Sequence, residues 1–153
     1  MANTYTQIHL QFVFAAKYRQ RVIQPSWKDE LYKYITGIIQ KHGHKLIIIN
    51  GMPDHLHILV GMRPTQSVSD LMQDIKGGSS GWINEKKPGN IKFEWQEGYG
   101  AFSYGKSQIP DVIEYIQNQE IRHQRRSFRE EYIAFLNKFE VDYDERYIFK
   151  DLI

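Results

Sequence analysis

The chain has no cysteine among its 153 residues. Disulfides, thiolate nucleophiles and cysteine-ligated metal sites are therefore excluded, and any metal must be held by His, Asp, Glu, Asn or Gln. No apolar run approaches the ~20 residues that span a membrane. The opening residues Met1-Ala2-Asn3-Thr4-Tyr5 lack the basic and then apolar regions of a secretory signal, so a cytoplasmic location is expected. A glycine-rich phosphate loop is missing, which argues against a nucleotide cofactor. So is an excess of charge of one sign. Twenty Lys and Arg face 18 Asp and Glu, for a formal charge of +2. That balance is too mild to announce a nucleic-acid partner by itself. No repeat, low-complexity segment or linker divides the chain, and a single domain over residues 1–153 is expected.

What is present is a globular composition, 41% hydrophobic and 25% charged, with the charge unevenly placed. Lys17, Arg19 and Arg21 cluster early, and Arg122, Arg125, Arg126 and Arg129 cluster late. Residues 140–151 are mainly acidic. Residues 7–14 (QIHLQFVF) alternate polar and apolar, the pattern of a half-buried strand. Ser26 is placed to cap a helix bearing Leu31, Ile35, Ile38 and Ile39, and Gly43 to end it. Residues 45–49 (KLIII) and 55–60 (HLHILV) are strand-like. The turn-forming Asn50-Gly51-Met52-Pro53-Asp54 between them predicts a hairpin whose loop exceeds two residues.

Ser67 heads a helix reaching Trp82, with Asp70 at its third position. Residues 86–90 read as a loop. Residues 93–104 are aromatic, interrupted by Gly98 and Gly100, and read as short strands or a mobile linker. A helix from Ser107 to about Gln124 carries Ile109, Val112, Ile113 and Ile116, with Pro110 tolerated in its first turn. A last helix covers about residues 127–139. This order predicts an α+β fold: an antiparallel sheet with helices mainly on one face, ferredoxin-like or RRM-like.

His55 and His57 lie two apart in a predicted strand, so both imidazoles face one side while Leu56 points to the core. Neutral imidazole is a common metal ligand. Spacing alone does not decide the matter, because His42 and His44 share it. That second pair straddles a glycine at a helix-to-strand junction and is assigned to a cap or the surface. Tyr115 has Gln119 one helical turn later on the same face. A phenol with an ordinary pKa of about 10 is a poor nucleophile, unless a metal polarises the group it attacks and holds it in line. One of ten tyrosines beside Val112 and Ile116 could equally be a packing residue.

The string from Asn50 to Val60 (NGMPDHLHILV) resembles the His-hydrophobic-His motif of the HUH nucleases. The strings 93–102 (FEWQEGYGAF), 115–120 (YIQNQE) and 143–147 (YDERY) are similar to those of the single-tyrosine transposases of small bacterial insertion sequences, the insertion-sequence-200-like family. The likeness runs from about Tyr5 to Tyr147. It implies an HUH nuclease fold, a divalent ion (Mg²⁺ or Mn²⁺) on His55, His57 and Gln119, and Tyr115 as nucleophile. It implies cleavage and rejoining of single-stranded DNA through a 5′-phosphotyrosine intermediate, at ends marked by hairpins. A homodimer is also implied, with a tyrosine helix that glycines 98, 100 and 105 would let move; tight turns are the other use for these glycines.

Lys17, Arg19, Arg21, Lys76, Arg122, Arg125 and Arg126 are candidates for phosphate contacts. Tyr99, Phe102 and Tyr104 are candidates for base stacking, or else core. Two alternatives stay open: a relative acting on repeated extragenic palindromes, and a non-catalytic nucleic-acid-binding module.

Overall fold

A computed structural model of the chain describes residues 3–87, 92–124, 126–144, 146 and 148, with Arg19 described through its backbone. The elements run β1 (His9–Ala15), a 3₁₀ turn (Lys17–Arg19), α1 (Lys28–Lys41), β2 (Lys45–Met52), β3 (His55–Gly61), α2 (Val68–Lys86) and β4 (Gly100–Tyr104). A second 3₁₀ turn (Lys106–Gln108), α3 (Ile109–Gln117), α4 (Gln119–Arg122) and α5 (Phe128–Lys138) follow. The strands form one antiparallel sheet in the order β2-β3-β1-β4. Up to β4 this is the expected ferredoxin-like βαββαβ arrangement, with β1 and β3 central.

Alternation along the central strands builds two cores. Phe12, Phe14, Leu56, Ile58 and Val60 turn toward α1 and α2, where they meet Leu31, Ile35, Leu71 and Ile75. Val13, Ala15 and Leu59 turn the other way, with Phe102 and Tyr104 of β4, onto Val112 and Ile116 of α3 and Phe128, Tyr132 and Phe135 of α5. The α+β antiparallel fold therefore stands, but its helices cover both faces rather than mainly one. For the same reason β1 is not half-buried. The run Phe12-Val13-Phe14-Ala15-Ala16 is apolar without alternation and at most 1% exposed, as befits a strand packed on both faces.

The hairpin departs from expectation. Asn50 and Gly51 belong to β2, opposite His57 and Leu56, and the loop is only Pro53-Asp54. A Cβ on Gly51 would lie 2.2 Å from the His55 carbonyl oxygen, so glycine here permits strand pairing and does not make a turn. A register shift between Leu46 and Ile48 then sets Asn50 opposite His57.

Ser67 caps α2 as expected, its hydroxyl accepting the Asp70 N–H at 3.1 Å, and the helix runs a turn past Trp82. Ser127 caps α5 through the Glu130 N–H at 3.2 Å. Ser26 does not cap α1, whose N-cap position is Trp27. Gly43, at φ +82, lies just past the C-cap, His42. Residues 88–90 of the expected loop lie outside the described residues.

Residues 93–104 are tied down: Trp95 bridges to Ala16, and β4 joins the sheet. Gly98 sits at φ +84, a turn that favours glycine. A Cβ on Gly100 would meet Tyr132 Cε1 at 2.8 Å and Phe102 Cε2 at 2.9 Å. Gly100→Ala is therefore expected to destabilise the fold by about 1–3 kcal/mol through overpacking. The check is a lower urea midpoint with unchanged slope; an unchanged midpoint would refute the close approach.

Candidate metal centre and its tyrosine

β3 carries His55 and His57 onto the face shared with α3 and α5, their ring centroids 5.3 Å apart and neither imidazole exposed. The buried Asp54 accepts from His55 Nδ1 at 2.8 Å, so His55 Nε2 turns its lone pair inward. On the neighbouring strand, Gln11 Oε1 accepts the Tyr104 hydroxyl at 2.8 Å, which assigns the amide orientation. Gln11 Nε2 then donates to His57 Nδ1 at 2.8 Å, leaving the His57 proton on Nε2.

Opposite them stands Glu131, on the apolar stripe Phe128-Glu131-Tyr132-Phe135 of α5 and 1% exposed. Its Oε1 lies 3.1 Å from His57 Nε2, 3.2 Å from His123 Nε2 and 3.7 Å from His55 Nε2. Its Oε2 accepts from Gln119 Nε2 at 3.1 Å and from the Tyr115 hydroxyl. Burial would push the Glu131 carboxyl up. The imidazoles of His57, His123 and His55 outweigh it and hold the carboxyl well below the usual carboxylate range. Burial drives His55 toward its neutral form, against the opposing hydrogen bond to Asp54.

The ligand atoms of His55, His57, His123 and Glu131 all lie within 4.8 Å of one another. Ligands ~2.1 Å from one ion are at most ~4.2 Å apart, so small shifts would close this set around a cation. His55 Nε2 also faces Gln119 Oε1 at 3.2 Å, an acceptor against a lone pair, which a cation between them would resolve. The donor set therefore fits a divalent ion. Three imidazoles favour a transition metal over Mg²⁺.

Tyr115 lies beside this cluster, its ring edge-on to His57 at 6.0 Å. The expected continuous helix breaks at Asn118, and Gln119 begins α4, yet both side chains reach Glu131. Asn50 Nδ2 donates to the Ile116 carbonyl at 2.9 Å, fastening the last turn of α3 to β2. Burial first, then the charge and hydrogen bond of Glu131, push the Tyr115 phenol well above its ordinary value, while Arg126 opposes them. The Arg122 guanidinium lies over its ring at 4.6 Å. A cleft of about 320 Å³, lined by Arg122, Arg126 and Lys138, opens onto Tyr115 and Glu131.

The other sequence candidates separate by location. Arg122 and Arg126 border the cleft, and Arg21 lines another beside Lys28 and Asn50. Lys17 pairs with Glu94 at 3.1 Å. Lys76, half-buried and lowered in pKa by burial, donates to the Gln96 and Gly98 carbonyls at 2.7 and 2.9 Å. Arg125 and the Arg19 side chain lie outside the described residues, as do Glu145 and Tyr147 of the 143–147 string. Phe102 and Tyr104 are core, Phe102 stacking on Phe135 and Phe139, and Tyr99 packs edge-on to Phe12. Phe102 and Tyr104 are therefore closed to bases, while Tyr99 stays partly exposed. His44 is 3% exposed, neither cap nor surface: it accepts the Arg63 N–H and contacts Gln66. His42 caps α1 and meets Asp74.

His123 and Glu131 escaped the sequence reading. Glu131 left one trace, a carboxylate on the apolar face of an amphipathic helix. His123 follows Gln119 by four residues, but residue types alone do not single it out.

The family model "Transposase IS200 like" matches residues 4–119. The chain is similar to the ISDra2 transposase TnpA of Deinococcus radiodurans, at 25% identity over 74% of this chain and 84% of that one. It is similar to the transposase for insertion sequence element IS200 of Salmonella typhimurium, at 26% identity over 78% and 81%. Among solved structures, one from Deinococcus radiodurans R1 assigned to the transposases aligns with TM-score 0.62 at 23% identity, covering 78% of this chain and 95% of that one. A REP-associated tyrosine transposase bound to a REP hairpin aligns with TM-score 0.61 at 13% identity, covering 80% and 73%. These structures share the fold. The matched span holds His55, His57, Tyr115 and Gln119, and with it the chain belongs to the IS200-like transposase family.

Proposed function

We propose that the protein cleaves and rejoins single-stranded DNA at insertion-sequence ends, with Tyr115 as nucleophile beside a divalent cation. The observation that carries this reading is the meeting of Tyr115, His55, His57 and Gln119 around one buried carboxylate in a chain of this family. His55, His57 and Gln119, with His123 and Glu131, are the residues that would hold the ion. When bound, such an ion polarises the scissile phosphate.

Tyr115 supplies the attacking oxygen. A bond forms between it and phosphorus as the bond to the 3′-oxygen breaks. The proton lost by the phenol is matched by the one the departing 3′-oxygen takes up. The phosphotyrosine keeps the bond energy, so a second 3′-hydroxyl can rejoin the strand without a nucleotide cofactor. Arg122 and Arg126 border the cleft where the phosphate would enter, and their charge favours it. A homodimer and hairpin-bearing ends belong to the same reading. The hairpin part of it is supported by a fold neighbour, a REP-associated tyrosine transposase solved bound to a REP hairpin.

The test is a labelled single-stranded oligonucleotide with a terminal hairpin from DNA flanking the gene. With Mn²⁺ the protein is expected to yield a covalent adduct stable to denaturing electrophoresis. EDTA should abolish it, and added Mn²⁺ should restore it. An adduct of equal yield in EDTA would overturn the metal-assisted reading.

A further inference from the structure

The family match ends at Gln119, while the groups that close the cluster, His123 and Glu131, lie beyond it. Glu131 is placed unlike an ordinary helix carboxylate. It projects from the apolar stripe of α5, between Phe128 and Phe135, and lies at the floor of the cleft with only 1% of its surface exposed. An ionised carboxylate there is costly unless cations or donors surround it. Its two oxygens divide their partners by kind. Oε1 faces three imidazole nitrogens, at 3.1, 3.2 and 3.7 Å. Oε2 faces the Gln119 amide and the Tyr115 hydroxyl.

Resting on the proposed function, we infer that Glu131 is the anionic ligand of the metal centre, binding through Oε1 and holding the Tyr115 hydroxyl through Oε2. One carboxylate thus ties the nucleophile to the ion. Gln119 steadies the same carboxylate from the side. His123 supplies a third imidazole, so the centre is richer in nitrogen than a two-histidine site. Among the described residues of one chain, β3, α3, α4 and α5 each contribute to it. With a negative ligand and three imidazoles, the centre selects Mn²⁺ over Mg²⁺.

Calorimetric titration of the full chain with Mn²⁺ tests the ligand. Wild type should bind one ion, and Glu131→Gln, which keeps the side chain's shape, should bind at least about 100-fold more weakly. His123→Ala should weaken binding by about 10-fold or more. Equal Mn²⁺ affinity in wild type and Glu131→Gln would overturn the inference. Absence of Mn²⁺ binding to wild type would overturn the metal-assisted function itself, so the two failures are distinct.

A second measurement needs no variant at residue 131. In wild type, Mn²⁺ should broaden the ring resonances of Tyr115, assigned by their loss in Tyr115→Phe. Unbroadened Tyr115 signals with the ion bound would place the nucleophile away from it and overturn the link through Glu131.

Discussion

Tyr115→Phe is expected to eliminate the covalent DNA adduct, by at least about 10³-fold, while leaving the fold and DNA affinity nearly unchanged. The substitution removes one oxygen. The ring stays between His57, Phe135 and the Arg122 guanidinium, so the aromatic packing of α3 is preserved. The hydroxyl's partner, Glu131, keeps Gln119 and the imidazoles as donors. A merely structural Tyr115 would show the opposite pattern, a modest loss of stability and an undiminished adduct.

The choice of this tyrosine over the others rests on its surroundings. The Tyr104 hydroxyl is committed to Gln11, and burial pushes its pKa up to about 12. Tyr132 packs on Phe128 in the second core. Tyr115 alone among these three combines the carboxylate, a cleft and two guanidinium neighbours. Adduct formation at the wild-type level by Tyr115→Phe would end its assignment as nucleophile.

His57→Ala should be the most destabilising single change in the site. It removes the imidazole closest to Glu131 Oε1 and leaves a carboxylate buried against Phe128 and Phe135 with less compensation. Breaking one side of a buried pair costs about 3–5 kcal/mol. At roughly 2–4 °C per kcal/mol for a chain of this size, the melting temperature should fall by about 6–20 °C. The double variant His57→Ala/Glu131→Gln separates charge from packing. Neutralising the carboxylate should recover much of the loss, giving a double variant more stable than His57→Ala alone. A double variant that melts at or below the single one would show that cavity formation, and not an unbalanced charge, carries the cost. Both should be measured without metal, since a bound ion stabilises wild type selectively.

The fold was legible where local patterning and global packing agree. Ser67 with Asp70 is a cap signature that operates within four residues, and the structure keeps it. The strand character of residues 55–60 and the common face of His55 and His57 follow from a period of two, which needs no tertiary knowledge. Where composition misled, a distant neighbour was responsible. Asn50-Gly51 has turn chemistry, but its pairing with β3 makes it strand, with glycine chosen to spare the His55 carbonyl. Residues 93–104 read equally as short strands or a mobile linker, and it is Ala16 and β1 that decide for the strands by supplying hydrogen-bond partners.

Taken alone, the amino-acid order determined most of the element types, the shared face of the two histidines, and the four-residue separation of Tyr115 and Gln119. These are local quantities, set by backbone periodicity. Only the tertiary structure decided that α3, α4 and α5 cover the second face of the sheet, and so bury what would otherwise be a solvated pair of imidazoles. Only it brought His123 and Glu131, 66 and 74 residues along the chain from His57, to within about 3 Å of the same point. Convergence of that kind depends on how helices pack over a sheet, and no spacing rule along the chain encodes it. The chain has no cysteine, and the cluster is accordingly built from imidazole, amide and carboxylate, the ligand types the composition left available.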